Sequence, residues 1–172
     1  KGITRGCNPP TNDLFCPTHQ VTRGQMAAFL VRALGLTETG SQTFVDVPSG
    51  HLFNLEIRRL AAAGITKGCN PSQGNTRFCP DRAVTRGEMA AFLVRALDLR
   101  ATSDVSFSDV PAGHLFNIEI NRLATAGITF GCGGGKFCPD RPVLRDQMAA
   151  FLQRALGLPE LVPPPPTTGN PT

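Results

Sequence analysis

The sequence predicts a mainly α-helical fold assembled from tandem helix–loop–helix repeats. Residues 21–34, which read VTRGQMAAFLVRAL, recur as residues 84–97 with 13 of 14 positions identical, and again as residues 143–156. A second block, residues 44–66, recurs as residues 107–129 with 18 of 23 positions identical. Self-similarity at a fixed spacing indicates repeated structural units that bury their apolar faces against one another. The helices and loops can therefore be predicted block by block.

The block that occurs three times predicts one amphipathic helix per repeat, called the rear helix below. In its first copy the apolar residues fall at i, i+3, i+4, i+7 and i+8, on one helix face. These residues are Met26, Phe29, Leu30, Ala33 and Leu34. Thr22 with Gln25, and Thr85 with Glu88, form a capping-box pattern at the helix start. Leu144 replaces the threonine in the third copy, so that helix is expected to lose a cap contributing about 1 kcal/mol.

The block that occurs twice predicts a second amphipathic helix, called the front helix. Phe53, Ile57, Leu60 and Ala61 lie on one helical face, and Gly64 is placed to end the helix. The second copy of the block carries the same pattern. We therefore expect front helices in the second and third repeats, and only the rear half of a repeat in the first.

Each repeat carries two cysteines in the loop before its rear helix. The residues between them number eight, nine and five, and a pair that persists while its loop changes length is expected to bond locally. The predicted disulfides are Cys7–Cys16, Cys69–Cys79 and Cys132–Cys138. Such bonds indicate an oxidising compartment. The alternative, a zinc site, is disfavoured because each repeat offers two thiols and the nearby His19 is not repeated.

Composition and charge argue against several classes of protein. The formal net charge is +4, from 17 Lys and Arg against 13 Asp and Glu, and the scattered basic residues do not indicate nucleic-acid binding. No apolar run reaches the roughly 18 to 20 residues that span a bilayer, so membrane insertion is not expected. Trp and Tyr are absent, which leaves phenylalanine to stack on any sugar. The Pro/Thr-rich residues 159–172 are predicted to be a linker or tail.

The order of these motifs resembles a known family. The motifs are F-x-D-V-P, a helix led by histidine, Gly-Ile-Thr, a turn ending in Phe-x-Pro, and Val-Thr-Arg-Gly before a second helix. Together they are similar to the S-layer homology domain. The resemblance covers residues 44–99 and 107–158 as whole units, and residues 1–36 as the rear half of a unit.

The resemblance implies three units in a pseudo-threefold prism, with a shared helical core and grooves between the units. In this family the grooves hold an anionic secondary polymer of the bacterial cell wall, often through a pyruvate ketal. The polymer-binding residues it implies here are Arg23, Arg86 and Arg145, with Thr22 and Thr85 beside them. It further implies a secreted, non-catalytic protein of the bacterial surface that carries a cargo domain and uses neither metal nor cofactor.

General electrostatics supports an anion site at these arginines. A helix start offers free N–H groups and the positive end of the helix dipole, and an arginine there adds two parallel donors that match a carboxylate. The competing interpretation is that Arg23 and Arg86 pair with nearby acids, such as Asp81 or Glu88, on a solvated surface.

The sequence departs from the usual family pattern at several positions. Leu52 and Leu115 stand where tryptophan is common after the histidine, and Gly24, Gly87 and Asp146 stand where the Thr-Arg motif has alanine. The third unit is expected to bind most weakly, because Asp146 would compete for the charge of Arg145.

Catalysis is not expected. Asp46 with His51, and Asp109 with His114, could suggest an acid–base pair, but no serine or cysteine nucleophile accompanies them at a fixed offset. Roles in a turn and at a helix start fit these residues better. The alternative function is protein–protein assembly in a surface layer or appendage. In that case another chain supplies the missing front helix, a partner covers the apolar face, or the chain self-associates.

Overall fold

Helices dominate residues 2–158, the part of the chain that the computed structural model describes. In chain order they are α1 (Arg23–Leu34), α2 (Asn54–Ala62), α3 (Arg86–Ala96), α4 (Asn117–Thr125) and α5 (Arg145–Ala155), with a short 3-10 turn at Pro71–Gln73. Backbone pairing within residues 2–158 is limited to isolated bridges, so the prediction of a mainly α fold of helix–loop–helix repeats is confirmed. None of these helices is long and apolar enough to cross a membrane.

The rear helices α1, α3 and α5 begin as their capping patterns predict. Thr22 Oγ1 accepts from the Gln25 N–H, and the Gln25 side chain accepts from the Thr22 N–H, both at 3.2 Å. Thr85 and Glu88 exchange the same two bonds at 3.2 and 3.1 Å. Leu144 has no acceptor to offer at the start of α5. The third helix thus loses the threonine cap, but the Asp146 side chain accepts from the matching Gln147 N–H at 2.6 Å instead.

The front helices α2 and α4 end at glycines. Gly64 and Gly127 follow them with φ of 69° and 70°, a left-handed conformation that glycine adopts without steric cost. The next residue, Ile65 or Ile128, donates its N–H back to a carbonyl of the last helical turn, at 3.1 Å in both cases. The predicted role of Gly64 as the helix-ending residue is confirmed.

A closed cycle of backbone hydrogen bonds joins the segments before the three rear helices. Val21 donates to Val143, Val84 to Val21, and Val143 to Val84, at 2.9, 2.9 and 3.0 Å. The methionines of the three rear helices enter one hydrophobic core with them, so the predicted shared core is present. The complete prism stays a prediction, because residues 2–158 supply two front helices for three rear helices.

Each front helix packs on the rear helix that precedes it, α2 on α1 and α4 on α3. The close approach depends on glycine: a Cβ atom on Gly24 would lie 2.5 Å from the Phe53 ring, and one on Gly87 at the same distance from the Phe116 ring. Glycine at the second helical position thus lets a phenylalanine ring pack directly against the helix backbone.

The cysteines pair as predicted. Bonds join Cys7 to Cys16, Cys69 to Cys79 and Cys132 to Cys138, with the Cα atoms 6.1 Å apart in each pair. His19, Asp46 and Asp109 each lie beside one pair. A disulfide sulfur is not a thiolate, so these groups lack the sulfur ligands that a zinc site of this kind requires.

Candidate anion-binding grooves

The three arginines predicted to bind polymer are buried where the rear helices begin. Their exposed fractions are 2% for Arg23 and 5% for both Arg86 and Arg145. In the same order, Nε donates to the carbonyl oxygens of Phe78, Phe137 and Phe15 at 2.8, 2.7 and 2.7 Å. Nη2 donates to Gly68 O, Gly131 O and Thr4 Oγ1 at 3.2, 3.1 and 3.1 Å. Each arginine therefore ties one rear helix to the cysteine-bearing loop of another repeat, and Arg145 also contacts Thr4 of a Gly-Ile-Thr segment.

Phenylalanine rings complete the surroundings of these guanidinium groups. Arg23 lies 4.9 and 5.1 Å from the ring centroids of Phe78 and Phe92. The other two arginines repeat the arrangement, Arg86 with Phe137 and Phe151 at 4.7 and 5.3 Å, and Arg145 with Phe15 and Phe29 at 5.2 and 5.6 Å. Cation–π attraction and the carbonyl acceptors together offset the loss of water around a buried cation.

Burial changes the pKa of all three arginines in the same direction. Desolvation lowers the pKa of Arg23 to about 10, although the Glu88 carboxylate at 3.0 Å opposes that change. Desolvation also lowers the pKa of Arg86 and of Arg145. Arginine starts from so high a pKa that all three stay cationic at neutral pH.

These contacts differ from the sequence-based prediction, in which two parallel N–H donors of each guanidinium group face a ligand. Two nitrogens of each guanidinium serve bonds between repeats, and their acceptors lie at least 45 residues away in the sequence. Arg23 also contacts Glu88, the acid named by the competing interpretation, but the pair is buried rather than solvated. Participation of these arginines in polymer binding stays a prediction.

The two threonines of the predicted site serve as helix caps. The hydroxyl oxygens of Thr22 and Thr85 accept from the N–H groups of Gln25 and Glu88. A threonine hydroxyl both donates and accepts, so each keeps its proton for one further hydrogen bond.

Two equivalent grooves open beside the buried arginines. The first, called the α1 groove, has a volume of about 360 Å³, and the second, called the α3 groove, about 250 Å³. The α1 groove is lined among others by Arg5, Gln25, Ala28, Phe29, Arg32, Leu52, Phe53, Glu56 and Arg145. The α3 groove is lined by the matching Lys67, Glu88, Ala91, Phe92, Arg95, Leu115, Phe116 and Arg23. In both, the wall is the start of the following front helix.

The two grooves differ in charge at one position of the rear helix. Glu88 in the α3 groove contacts Arg23 Nη1 at 3.0 Å and also pairs with Arg82. The matching residue in the α1 groove is the uncharged Gln25, so Arg145 has no such carboxylate there. Three basic side chains and one carboxylate line each groove. In the α3 groove that carboxylate, Glu88, is paired with Arg23, whereas Glu56 of the α1 groove forms no ion pair among the described residues.

The expectation that Asp146 competes for the charge of Arg145 is wrong. The Asp146 side chain accepts from the Gln147 N–H at 2.6 Å, and among residues 2–158 no ion pair joins it to Arg145. The reason is geometric: Arg145 runs inward between the rings of Phe15 and Phe29, whereas Asp146 is exposed. The acid that competes for an arginine is Glu88, at the α3 groove.

The sequence argument missed the basic residues that lie at the mouths of the grooves. Arg5 and Lys67 follow the first two of the three Gly-Ile-Thr segments, while Arg32 and Arg95 lie on the polar faces of α1 and α3. The repetition of these basic residues at matching positions could have revealed them from the sequence. At the third such position stands Phe130, which is 76% exposed.

Asp46 and His51 have the structural roles that the sequence favours. Asp46 accepts from the N–H groups of Phe78 and Cys79, both at 2.8 Å, and His51 Nδ1 accepts from the Phe53 N–H at 3.1 Å. Asp109 and His114 repeat these contacts. Burial would raise the pKa of Asp109, but the N–H donors of Phe137 and Cys138, its own backbone N–H and the charge of Lys136 together lower it below its usual value.

Comparison with known proteins identifies the repeats. The S-layer homology domain matches residues 43–90 and 106–149, which is more than half of the chain. A cell surface protein of Thermoanaerobacter kivui is 31% identical over 140 residues, covering 78% of this chain and 18% of the relative.

Two further relatives differ from each other in kind. An S-layer protein of Bacillus licheniformis is 29% identical over 145 residues, covering 80% of this chain and 16% of the relative. An endoglucanase of a Bacillus species is 37% identical over 93 residues, covering 49% of this chain and 10% of the relative. The chain thus spans less than a fifth of the length of these relatives. On the strength of the repeats, their shared core and the family match, this chain belongs to the S-layer homology domain family.

Proposed function

We propose that this chain is a non-catalytic anchoring module that binds an anionic secondary cell-wall glycopolymer. Family membership and the cell-surface relatives indicate a secreted protein at the cell surface, and three disulfides fit an oxidising compartment. A segment of the same kind occurs in S-layer proteins and in an endoglucanase, where it covers a tenth of the length. Sharing between proteins with such different names favours a common location over a common reaction.

The α1 groove is the principal site in this proposal. The supporting observation is that Arg5, Arg32 and Arg145 line one groove in which Gln25 holds the position that Glu88 has in the other. Glu56 is the single carboxylate of that lining, whereas Glu88 in the α3 groove is bonded to Arg23 itself. An incoming carboxylate therefore meets less competition in the α1 groove.

The three cations would act in different ways. Arg145 is held rigidly by Phe15, Thr4 and two rings, so it loses little conformational entropy when a ligand arrives. Arg32 is half-buried and donates to Ile3 O at 3.2 Å, and Arg5 is exposed at the mouth. We expect a ketal carboxylate to lie among them.

An apolar surface lies beside these charges. Leu52, which follows the helix-opening histidine, is 82% exposed on the groove wall. It offers the apolar face of a sugar ring a contact without the stacking that an aromatic ring would add. The α1 groove thus pairs a cationic floor with an apolar edge, as a carboxylate-bearing sugar requires.

Co-sedimentation with purified cell-wall sacculi tests the proposal. The chain should pellet with native sacculi and stay in solution with sacculi stripped of their secondary polymer, and added salt should weaken the binding. Free pyruvylated sugar should compete. Equal binding to native and stripped sacculi would contradict polymer anchoring and would favour the alternative, a protein–protein assembly module.

A further inference from the structure

The single carboxylate of the α1 groove, Glu56, has no partner for its side chain within residues 2–158. It forms neither a side-chain hydrogen bond nor an ion pair there, although it is half-buried. Glu88 of the α3 groove, by contrast, accepts from the Thr85 N–H and pairs with Arg23 and Arg82. A half-buried carboxylate that has lost part of its water gains from any ligand that donates a hydrogen bond to it.

Three arginines share the α1 groove with Glu56. Arg5, Arg32 and Arg145 belong to the same lining, and among the described residues no ion pair joins any of them to Glu56. Arg145 is held away by its bond to Phe15 O at 2.7 Å. The cations and the carboxylate thus line one space of about 360 Å³ from separate positions.

The front helix α2 fixes the place of Glu56 on the groove wall. Glu56 lies in the first turn of α2. The ring of Phe53 packs against the backbone at Gly24, and Ile57, the neighbour of Glu56, has no exposed surface. Because the helix is held on its inner side, a ligand has to order only the side chain of Glu56.

Stabilisation of the helix dipole does not explain why Glu56 lies in a groove. A carboxylate in the first turn stabilises the positive end of a helix, and Glu119 has that place in α4. Glu119, however, lies outside the lining of the α3 groove. The dipole role is therefore common to both front helices, whereas the groove position distinguishes Glu56.

The charges of the α1 groove favour a ligand that carries both an anion and a neutral donor. A bare anion would be attracted by the three arginines and repelled by Glu56, and an ammonium group would be repelled by the arginines. A hydroxyl group avoids both repulsions and can donate a charge-assisted hydrogen bond to the carboxylate. A sugar with a ketal carboxylate keeps hydroxyl groups on the same ring, so it offers both groups at once.

We infer that Glu56 is a specificity-determining residue of the α1 groove and selects sugars that present a free hydroxyl group beside their carboxylate. The arginines bind the carboxylate of such a sugar, and Glu56 accepts the hydrogen bond from its hydroxyl group. This inference rests on the proposed function, because it assigns the ligand of the same groove.

Two matched substitutions test the inference in co-sedimentation with native sacculi. Glu56→Gln removes the charge but keeps a neutral acceptor, so binding should weaken about fivefold, the usual difference between hydrogen bonds to charged and to neutral acceptors. Glu119→Gln makes the same change on α4 and should alter binding less than twofold. Both variants lose the same contribution to a helix dipole, so their thermal unfolding temperatures should fall equally.

Two soluble competitors identify the group that Glu56 contacts. The first is the methyl glycoside of a pyruvylated hexose, and the second is the same compound with its remaining hydroxyl groups methylated. To displace the unchanged chain from sacculi, about tenfold more of the methylated compound should be needed. For the Glu56→Gln chain the ratio should fall to about twofold, because the two changes remove the same hydrogen bond.

Three results would overturn the inference while the unchanged chain still distinguishes native from stripped sacculi. Stronger binding by Glu56→Gln would show that Glu56 repels the polymer. Equal effects of Glu56→Gln and Glu119→Gln would show that the groove position has no role. The same competitor ratio for the unchanged and Glu56→Gln chains would show that Glu56 does not contact a hydroxyl group. If the unchanged chain pelleted equally with stripped sacculi, the proposed function would fail and the inference with it.

Discussion

The α1 groove and the α3 groove are built from matching residues, and each is lined by three cations and one carboxylate, but the carboxylate lies at a different place in the two. In the α3 groove Glu88 both caps its helix and binds Arg23, whereas in the α1 groove Gln25 makes the same cap and leaves Arg145 without that partner. The glutamate thus combines a capping role, which either side chain performs, with an electrostatic role, which only a carboxylate performs. Near-identical repeats can therefore share a fold and still differ in the charged contacts of their grooves.

The buried arginines should contribute unequally to stability. Arg23→Ala removes bonds to Phe78, Gly68 and Glu88 and leaves two backbone carbonyls without their donor in a buried space, so we expect a loss of about 3–5 kcal/mol in the free energy of unfolding. Arg145→Ala should cost about 1–2 kcal/mol, because its acceptors on Phe15 and Thr4 can turn to water.

Urea denaturation measures both changes. Arg100→Ala, at a residue whose side chain is 78% exposed, is the control and should leave stability unchanged. Equal losses for Arg23→Ala and Arg145→Ala would show that the two grooves are energetically the same.

The loop phenylalanines sharpen the same comparison. Phe78→Ala should cost about 3–5 kcal/mol, because its fully buried ring packs under Arg23 and beside Phe44. Phe15→Ala should cost about 1 kcal/mol, because 40% of Phe15 already contacts water. Thermal and urea unfolding of the two variants provide the test, and a loss at Phe15 as large as that at Phe78 would contradict the unequal burial of the two rings.

Arg5 and Lys67 hold equivalent positions in the two grooves, so their substitution compares the contribution of each groove to wall binding. Both are exposed and lie at the mouths of the α1 and α3 grooves, so neither substitution should disturb folding. We expect Arg5→Ala to weaken binding to sacculi about tenfold, and Lys67→Ala to have an effect within about twofold. The reverse order would move the principal site to the α3 groove.

Local features of this fold follow from the sequence, and contacts between repeats do not. The capping pairs at Thr22 and Thr85, the apolar faces of the helices and the cysteine pairs involve residues close in sequence, so periodicity and spacing predict them. The burial of Arg145 depends on Phe15 and Thr4, which are 130 and 141 residues away, and no local pattern contains that information. For the same reason the sequence assigned Asp146 as the competitor of its neighbour Arg145, although the direction of the side chains separates the two.

Adding a carboxylate at Gln25, or removing the one at Glu88, tests most directly the claim that the α1 groove is the principal binding site. Gln25→Glu and Glu88→Gln both keep a side-chain acceptor for the helix cap, so the main change is the charge beside Arg145 or Arg23. In co-sedimentation with native sacculi, we predict that Gln25→Glu weakens binding about tenfold or more and that Glu88→Gln leaves it equal or stronger. Unchanged binding by Gln25→Glu, together with weaker binding by a folded Glu88→Gln chain, would contradict the account.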